Sequence, residues 1–187
     1  MSVGATQRPS LTTPDGEGNN RDKCLFCRIV DERSQDLTNL IYKDDEIVVF
    51  PDIRPAAKYH YLIVPREHIK NAKELTATHI RLVDRLVEVG QKIVNDKIIA
   101  DHTAEGKQAN LQEFPKVLGY HWPPFHTIAH LHLHVIAPSN EMGFISRTIF
   151  RPNSWWFVTP EYVKERLSKD VILPCGSETS NKSACDL

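Results

Sequence analysis

His130-Leu131-His132-Leu133-His134-Val135-Ile136 sets a histidine at every second position with aliphatic residues between. Alternate side chains of a strand point to opposite faces. The stretch predicts a strand over Thr127 to Ala137, with three imidazoles on one face and Leu131, Leu133 and Val135 on the other. Two residues along a strand span about 7 Å. That is too far for adjacent rings to bond side by side, but it suits a central imidazole flanked by two others in one pocket. Buried imidazoles need all their polar atoms satisfied, and aliphatic residues fill a core more readily. A purely structural role is therefore disfavoured, and two chemistries compete. His-x-His on a strand offers two ligands to zinc. A neutral imidazole is also a nucleophile toward phosphorus, giving a phospho-histidine that water clears. Phosphoryl chemistry asks chiefly for donors around the phosphate oxygens. A metal site would favour a nearby carboxylate, and Thr127 to Ala137 contains none.

Working outward, Leu40 to Lys43 and Glu46 to Phe50 read as a hairpin turning at Asp44-Asp45. Asp52-Ile53-Arg54-Pro55 closes its second strand. Tyr59 to Pro65 reads as a third strand, ended by a proline that lacks the ladder donor. Cys24 to Val30 reads as a short helix before a turn at Asp31 to Ser34. Thr76 or Thr78 can cap a long helix, because Ile80, Val83, Leu86, Val87, Ile93 and Val94 recur at helical spacing to about Ile98. Gly90 weakens it locally. Asp101 to Pro115 reads as a loop, Lys116 to Gly119 as a short strand and His121 to Phe125 as a rigid loop. Phe144 to Phe150 is expected to extend or flank the sheet. Thr159-Pro160-Glu161 starts a last helix that runs to about Ser168. The sum is an α+β fold: an antiparallel sheet of about five strands, one long helix packed on it and a C-terminal helix.

A chain of 187 residues fits one domain with tail to spare. The tails are expected at 1–22 and 171–187, rich in Ser, Thr, Pro, Gly and Asn, around a domain over 23–170. A net charge of -1 invites neither nucleic acid nor a membrane surface. No apolar run is long enough to span a bilayer, and the start does not read as a signal peptide. Cys24 and Cys27 read as reduced or metal-bound thiols of an intracellular protein, expected in the cytoplasm with the nucleus as a second compartment. Cys175 and Cys185 sit in the polar tail and carry no assignment.

His130 to Ile136 resembles the signature of the histidine triad superfamily. Phe50 to Ala56 and His60 to Ile69 resemble that family's upstream half, and the resemblance covers about Lys23 to Leu167. Cys24-Leu25-Phe26-Cys27, Trp122-Pro123-Pro124-Phe125 and Asn153-Ser154-Trp155-Trp156-Phe157 look most like its nucleotide-binding members in the aprataxin-related branch. The resemblance implies a hydrolase that binds a purine nucleotide, usually AMP. It would cleave the P–N bond of adenosine 5'-monophosphoramidates through an adenylyl-histidine, releasing AMP and an amine.

By the same resemblance, His132 is the nucleophile, His134 contacts the phosphate, His130 orients the nucleophile and His60 is the fourth histidine of the site. Asp52 would accept from ribose hydroxyls and Ile53 would pack on the base. Thr127 stands where better known relatives carry serine and keeps a hydroxyl for phosphate or leaving group. No cofactor is implied for catalysis. Some members hold a structural zinc with Cys-x-x-Cys and two histidines, which here would be Cys24, Cys27, His68 and His130. Relatives usually form homodimers.

Gly119 to Phe125 replaces the usual Gly-rich segment and resembles aprataxin, which removes AMP from adenylylated DNA ends. A DNA 5'-adenylate hydrolase is thus one alternative, weakened by the neutral charge and by the lack of a following zinc finger. A nucleotide-binding protein with little turnover is another. His79 and His102 read as solvated, His121 and His126 as surface or packing residues, and Trp155-Trp156 as core or a dimer contact.

Overall fold

The computed structural model describes residues 18–33 and 39–171. Most of both expected tails, with Cys175 and Cys185, lies outside the described residues. The elements run α1 (Gly18–Lys23), α2 (Leu25–Val30), β1 (Tyr42–Lys43), β2 (Ile47–Pro51), β3 (Tyr59–Pro65), α3 (Ile80–Ala104), β4 (Val117–His121), β5 (Leu133–Ala137), α4 (Phe144–Ile149), β6 (Phe157–Val158) and α5 (Pro160–Val171). The sheet has six strands in the order β1-β2-β3-β5-β4-β6, each pair antiparallel. The sixth strand exceeds the expected five. Two residues of β6 are too few to show alternation in the sequence, and only their pairing with Tyr120 and His121 reveals them.

Alternation along the strands divides the side chains between two faces. Tyr59, Tyr61, Ile63, Tyr120, Leu133 and Val135 join Val83, Leu86, Val94 and Ile98 of α3 in the main core. At Gly90 that helix presses close on the sheet. A Cβ there would lie 2.7 Å from Val135 Cγ2 and 2.9 Å from Ile63 Cγ1. The residue expected to weaken α3 is thus the one that lets it approach the sheet. On the opposite face, Phe26, Ile29 and Val30 of α2 cover Val48, Phe50, Leu62 and Val64. Ile136, Met142, Phe150 and Phe157 close the other end of that face. His60 and His134 belong to this second face, in the gap between the two small clusters.

Several expectations change. The strand expected from Thr127 begins only at Leu133. Before it, the Leu131 N–H donates to Ile69 O at 2.6 Å and the His130 ring bonds Pro65 O at 2.9 Å, so the chain is held off the ladder. Helix α3 reaches Ala104, beyond Ile98, and takes up the start of the expected loop. Residues 144–149, expected to extend or flank the sheet, form a helix. Trp156 secures the end of α4, its Nε1–H donating to the carbonyls of Thr148 and Ile149. Trp155 is 69% exposed and stands edge-on to Phe125. Helix α1 falls largely inside the expected N-terminal tail. Its Arg21 bonds the Asp31 carboxylate at 3.1 Å and the Arg66 carbonyl at 3.3 Å, partners that local composition cannot disclose. Among the described residues, no helix is long and apolar enough to cross a membrane.

Candidate active site

Strands β3 and β5 bring the central histidines together. His134 lies opposite Leu62 on β3 and opposite Gly119 on β4. His60, two residues along β3 on the same face as Leu62, reaches it with Nε2 2.9 Å from His134 Nδ1. The protons on this pair follow from their other partners. The Ala56 N–H donates to His60 Nδ1 at 3.1 Å, so His60 carries its proton on Nε2. His60 then donates to His134 Nδ1, and His134 carries its proton on Nε2. That atom is buried without a partner among the described residues. A buried donor left free is able to hold an oxyanion.

His132 lies just before β5, its ring 4.9 Å from that of His134. Its Nδ1–H donates to the His130 carbonyl at 2.7 Å, which leaves the Nε2 lone pair free to attack. The Phe26 ring packs against it near-perpendicular, with ring centres 5.2 Å apart. Burial pushes His132 down to about 4 and His60 down to about 3, and holds His134 well below its ordinary value. Burial thus favours the neutral form of all three rings at physiological pH.

His130 departs from the expected common face. Its carbonyl accepts from the His132 ring, while its own ring turns away toward Cys24 and Cys27, with Nδ1 at 3.5 and 3.4 Å from their sulfurs. The carboxylate missing from the motif arrives from the segment just after β2. Asp52 Oδ2 lies 3.6 Å from His60 Nε2 and 3.9 Å from His134 Nδ1, and its Oδ1 accepts the Arg54 N–H at 2.7 Å. Because His60 is neutral, its contact with Asp52 is not an ion pair. Burial raises the Asp52 carboxyl above its usual range. Ile53 projects with 82% of its surface exposed. Thr127 is exposed on the loop before the triad and makes no hydrogen bond among the described residues.

His121, read as a surface or packing residue, packs beside the histidines. Its ring stands 4.9 Å from that of His134 and 5.3 Å from that of Phe150. Its place on β4 beside Gly119 puts it on the histidine face, a signal available only once Lys116–Gly119 is extended to His121 as a strand. With His126, Ile128, Lys70 and Asn71 it lines a small cleft beside His132.

A family model described as "Scavenger mRNA decapping enzyme C-term binding" matches residues 23–149. The chain is 40% identical over 144 residues to adenosine 5'-monophosphoramidase HINT3 of Xenopus tropicalis, covering 77% of this chain and 86% of that protein. The chain belongs to the histidine triad superfamily. A second, more distant member, aprataxin of Danio rerio, is 33% identical over 74% of this chain and 37% of its own length. Among solved histidine triad structures, the HIT family hydrolase of Clostridium thermocellum matches with a TM-score of 0.52 at 25% identity, covering 66% of this chain and 97% of that one.

This histidine triad domain also gathers Cys24, Cys27, His68 and His130, whose ligand atoms all lie within 4.8 Å of one another. Cys27 Sγ is 3.1 Å from His68 Nδ1. Zinc bonds of about 2.0–2.3 Å give a tetrahedron with edges of roughly 3.3–3.8 Å, close to the sulfur–nitrogen spacings here. The tautomer fits as well. His130 donates Nε2–H to the Pro65 carbonyl, which turns the Nδ1 lone pair to the sulfurs, as a metal-binding histidine with a carbonyl partner does. Two sulfurs and two imidazoles are a zinc donor set.

Proposed function

We propose that this protein hydrolyses adenosine 5'-monophosphoramidates and related AMP conjugates, releasing AMP and an amine. The observation that carries the reading is the fixed pair of tautomers. His132 presents the Nε2 lone pair, and His134 beside it presents an unbonded Nε2–H. In the first step, His132 Nε2 bonds the α-phosphorus as the P–N bond breaks. The amine nitrogen takes a proton from water as it leaves, and the His134 N–H donates a hydrogen bond to a phosphoryl oxygen whose charge rises in the transition state. Water then attacks the phosphorus of adenylyl-His132, giving AMP and the free imidazole. Asp52 and the exposed Ile53 serve the ribose and the base, and Thr127 offers its hydroxyl to the phosphate or leaving group. The relative named as a monophosphoramidase supports this substrate class. No cofactor takes part in these steps. His132→Ala is expected to abolish AMP release from adenosine 5'-phosphoramidate, and an unchanged rate would contradict the reading.

Cys24, Cys27, His68 and His130 would hold a structural zinc in the same reading, tying α2 to the segments on either side of the sheet's open end. A second substrate, a DNA 5'-adenylate, is favoured by the likeness to aprataxin and disfavoured by the net charge of -1. Turnover of an adenylylated nicked duplex against that of a small phosphoramidate separates the two.

A further inference from the structure

Two chain segments wall the cleft beside His132. The turn after β3 supplies Lys70 and Asn71, and the loop after β4 supplies His121 and His126. The cleft has a volume of about 10 Å³, close to the space of one water molecule. Asp52 and Ile53 do not line it, so it is the space left beside the nucleophile for the other group on the phosphorus. One side chain of the C-terminal helix joins the two walls. Arg166 of α5 donates through Nη2 to the carbonyls of Ala72 at 2.9 Å and Leu75 at 3.0 Å. Its guanidinium also lies 5.8 Å from the ring centre of Trp122, within cation–π range. Lys73 of the turn reaches the same ring at 5.5 Å, and Tyr162 of α5 meets it edge-on at 5.8 Å. Trp122 is held in turn by its N–H on the Trp156 carbonyl at 2.8 Å, while Val163 and Leu167 root α5 in the main core. A guanidinium can serve carbonyls with its edge and a ring with its face at the same time. The turn and the loop thus share Arg166 as a brace.

We propose that Arg166 is a positioning residue that sets leaving-group specificity. Its brace keeps the cleft beside His132 narrow, so that phosphoramidates with a small nitrogen substituent are cleaved ahead of those whose nitrogen is branched or part of a ring. The proposal rests on the hydrolase reading above and adds which amine leaves. Arg166 does not line the cleft, so its loss should widen the space and remove no reacting group. None of the brace's contacts reaches Asp52 or Ile53, so AMP affinity should hold. A displacement of about 1 Å at a reacting group can cost about a hundredfold in rate, so the small substrate loses turnover when the walls relax while the bulky one gains room.

The test uses the full chain, with kcat and KM for adenosine 5'-phosphoramidate and for adenosine 5'-phosphoromorpholidate, whose nitrogen is part of a ring. Calorimetry gives AMP affinity, and urea midpoints check folding. Wild type should favour the phosphoramidate by about tenfold or more in kcat/KM. Arg166→Leu should cut that preference roughly threefold to tenfold and keep AMP affinity within about threefold. The intrinsic reactivity of the two P–N bonds cancels when variant is compared with wild type. Arg166→Lys, which returns a cation to Trp122 without the planar fork, should fall between. Arg166→Gln, a milder change that also lacks the cation, should shift the preference in the same direction and decides the matter where Arg166→Leu does not fold. No turnover of either substrate by wild type would overturn the hydrolase reading and the proposal with it. Turnover of both without a preference would overturn the narrow cleft and leave the hydrolase reading standing. A folded Arg166→Leu or Arg166→Gln protein with the wild-type preference, including one that loses both activities in equal proportion, would reduce Arg166 to general support of the fold and overturn its specificity role.

Discussion

His60 donates its Nε2–H to Nδ1 of His134 across 2.9 Å, and the direction of that bond is set one step further back by the Ala56 N–H on His60 Nδ1. The result is a donor at the far side of His134 that has no partner among the described residues.

His60→Leu removes the hydrogen bond that selects this tautomer. Losing one hydrogen bond to a buried group costs about 1–3 kcal/mol, so kcat/KM for adenosine 5'-phosphoramidate should fall roughly tenfold to a hundredfold. His60→Gln, which keeps an N–H in reach of His134, should lose less. Equal activity in His60→Leu and wild type would contradict the relay.

The same burial predicts acid sensitivity. His60 in the folded state takes up a proton only at about 3, and His121 and His134 are likewise held low by burial. In the unfolded chain these rings titrate near about 6.5. Between those values the unfolded state binds more protons, so stability falls as pH falls through the window and is unaffected by these groups above it. Each such ring contributes a slope of up to about 1.4 kcal/mol per pH unit. Urea midpoints should hold steady above about pH 7 and drop progressively toward pH 4, and His60→Gln should flatten the drop by up to about one proton. A midpoint that does not change across this range would contradict a neutral buried site.

Gly90→Ala sets two effects against each other. Alanine gains about 1 kcal/mol of helix propensity over glycine. Its Cβ would meet Val135 Cγ2 at 2.7 Å and Ile63 Cγ1 at 2.9 Å in the packed interface. Overpacking of that kind costs about 1–3 kcal/mol. The clash should win, and thermal unfolding should show a net loss of up to about 2 kcal/mol. A stabilised variant would mean that α3 is not pressed on the sheet there.

Strand β3 is legible in the sequence because Tyr59 to Pro65 carries its own β-favouring run and its own stop, and all seven of its residues are buried as strand. The α3 face follows from the spacing of Val83, Leu86 and Val94, all buried on the sheet. The alternation at His130 to His134 locates the site but misplaces His130. Period-two spacing says which way a strand residue points, and His130 and His132 precede the strand. What turns His130 away is Pro65 and the Cys27 sulfur, contacts from 65 and 103 residues earlier in the chain. Asp52 is absent from the motif's surroundings in sequence and present in space for the same reason. His121 escapes a sequence reading because two residues of β6, invisible to pattern, extend the pairing of β4 that puts it beside His134.

The central claim is that His132 becomes covalently adenylylated. Mass spectrometry of the protein quenched within its first turnovers of adenosine 5'-phosphoramidate, with peptide mapping, tests it most directly. An AMP adduct on His132 that is absent from His132→Ala is the predicted result. Turnover at full rate with no adduct on that residue, or with the adduct on another histidine, would contradict it.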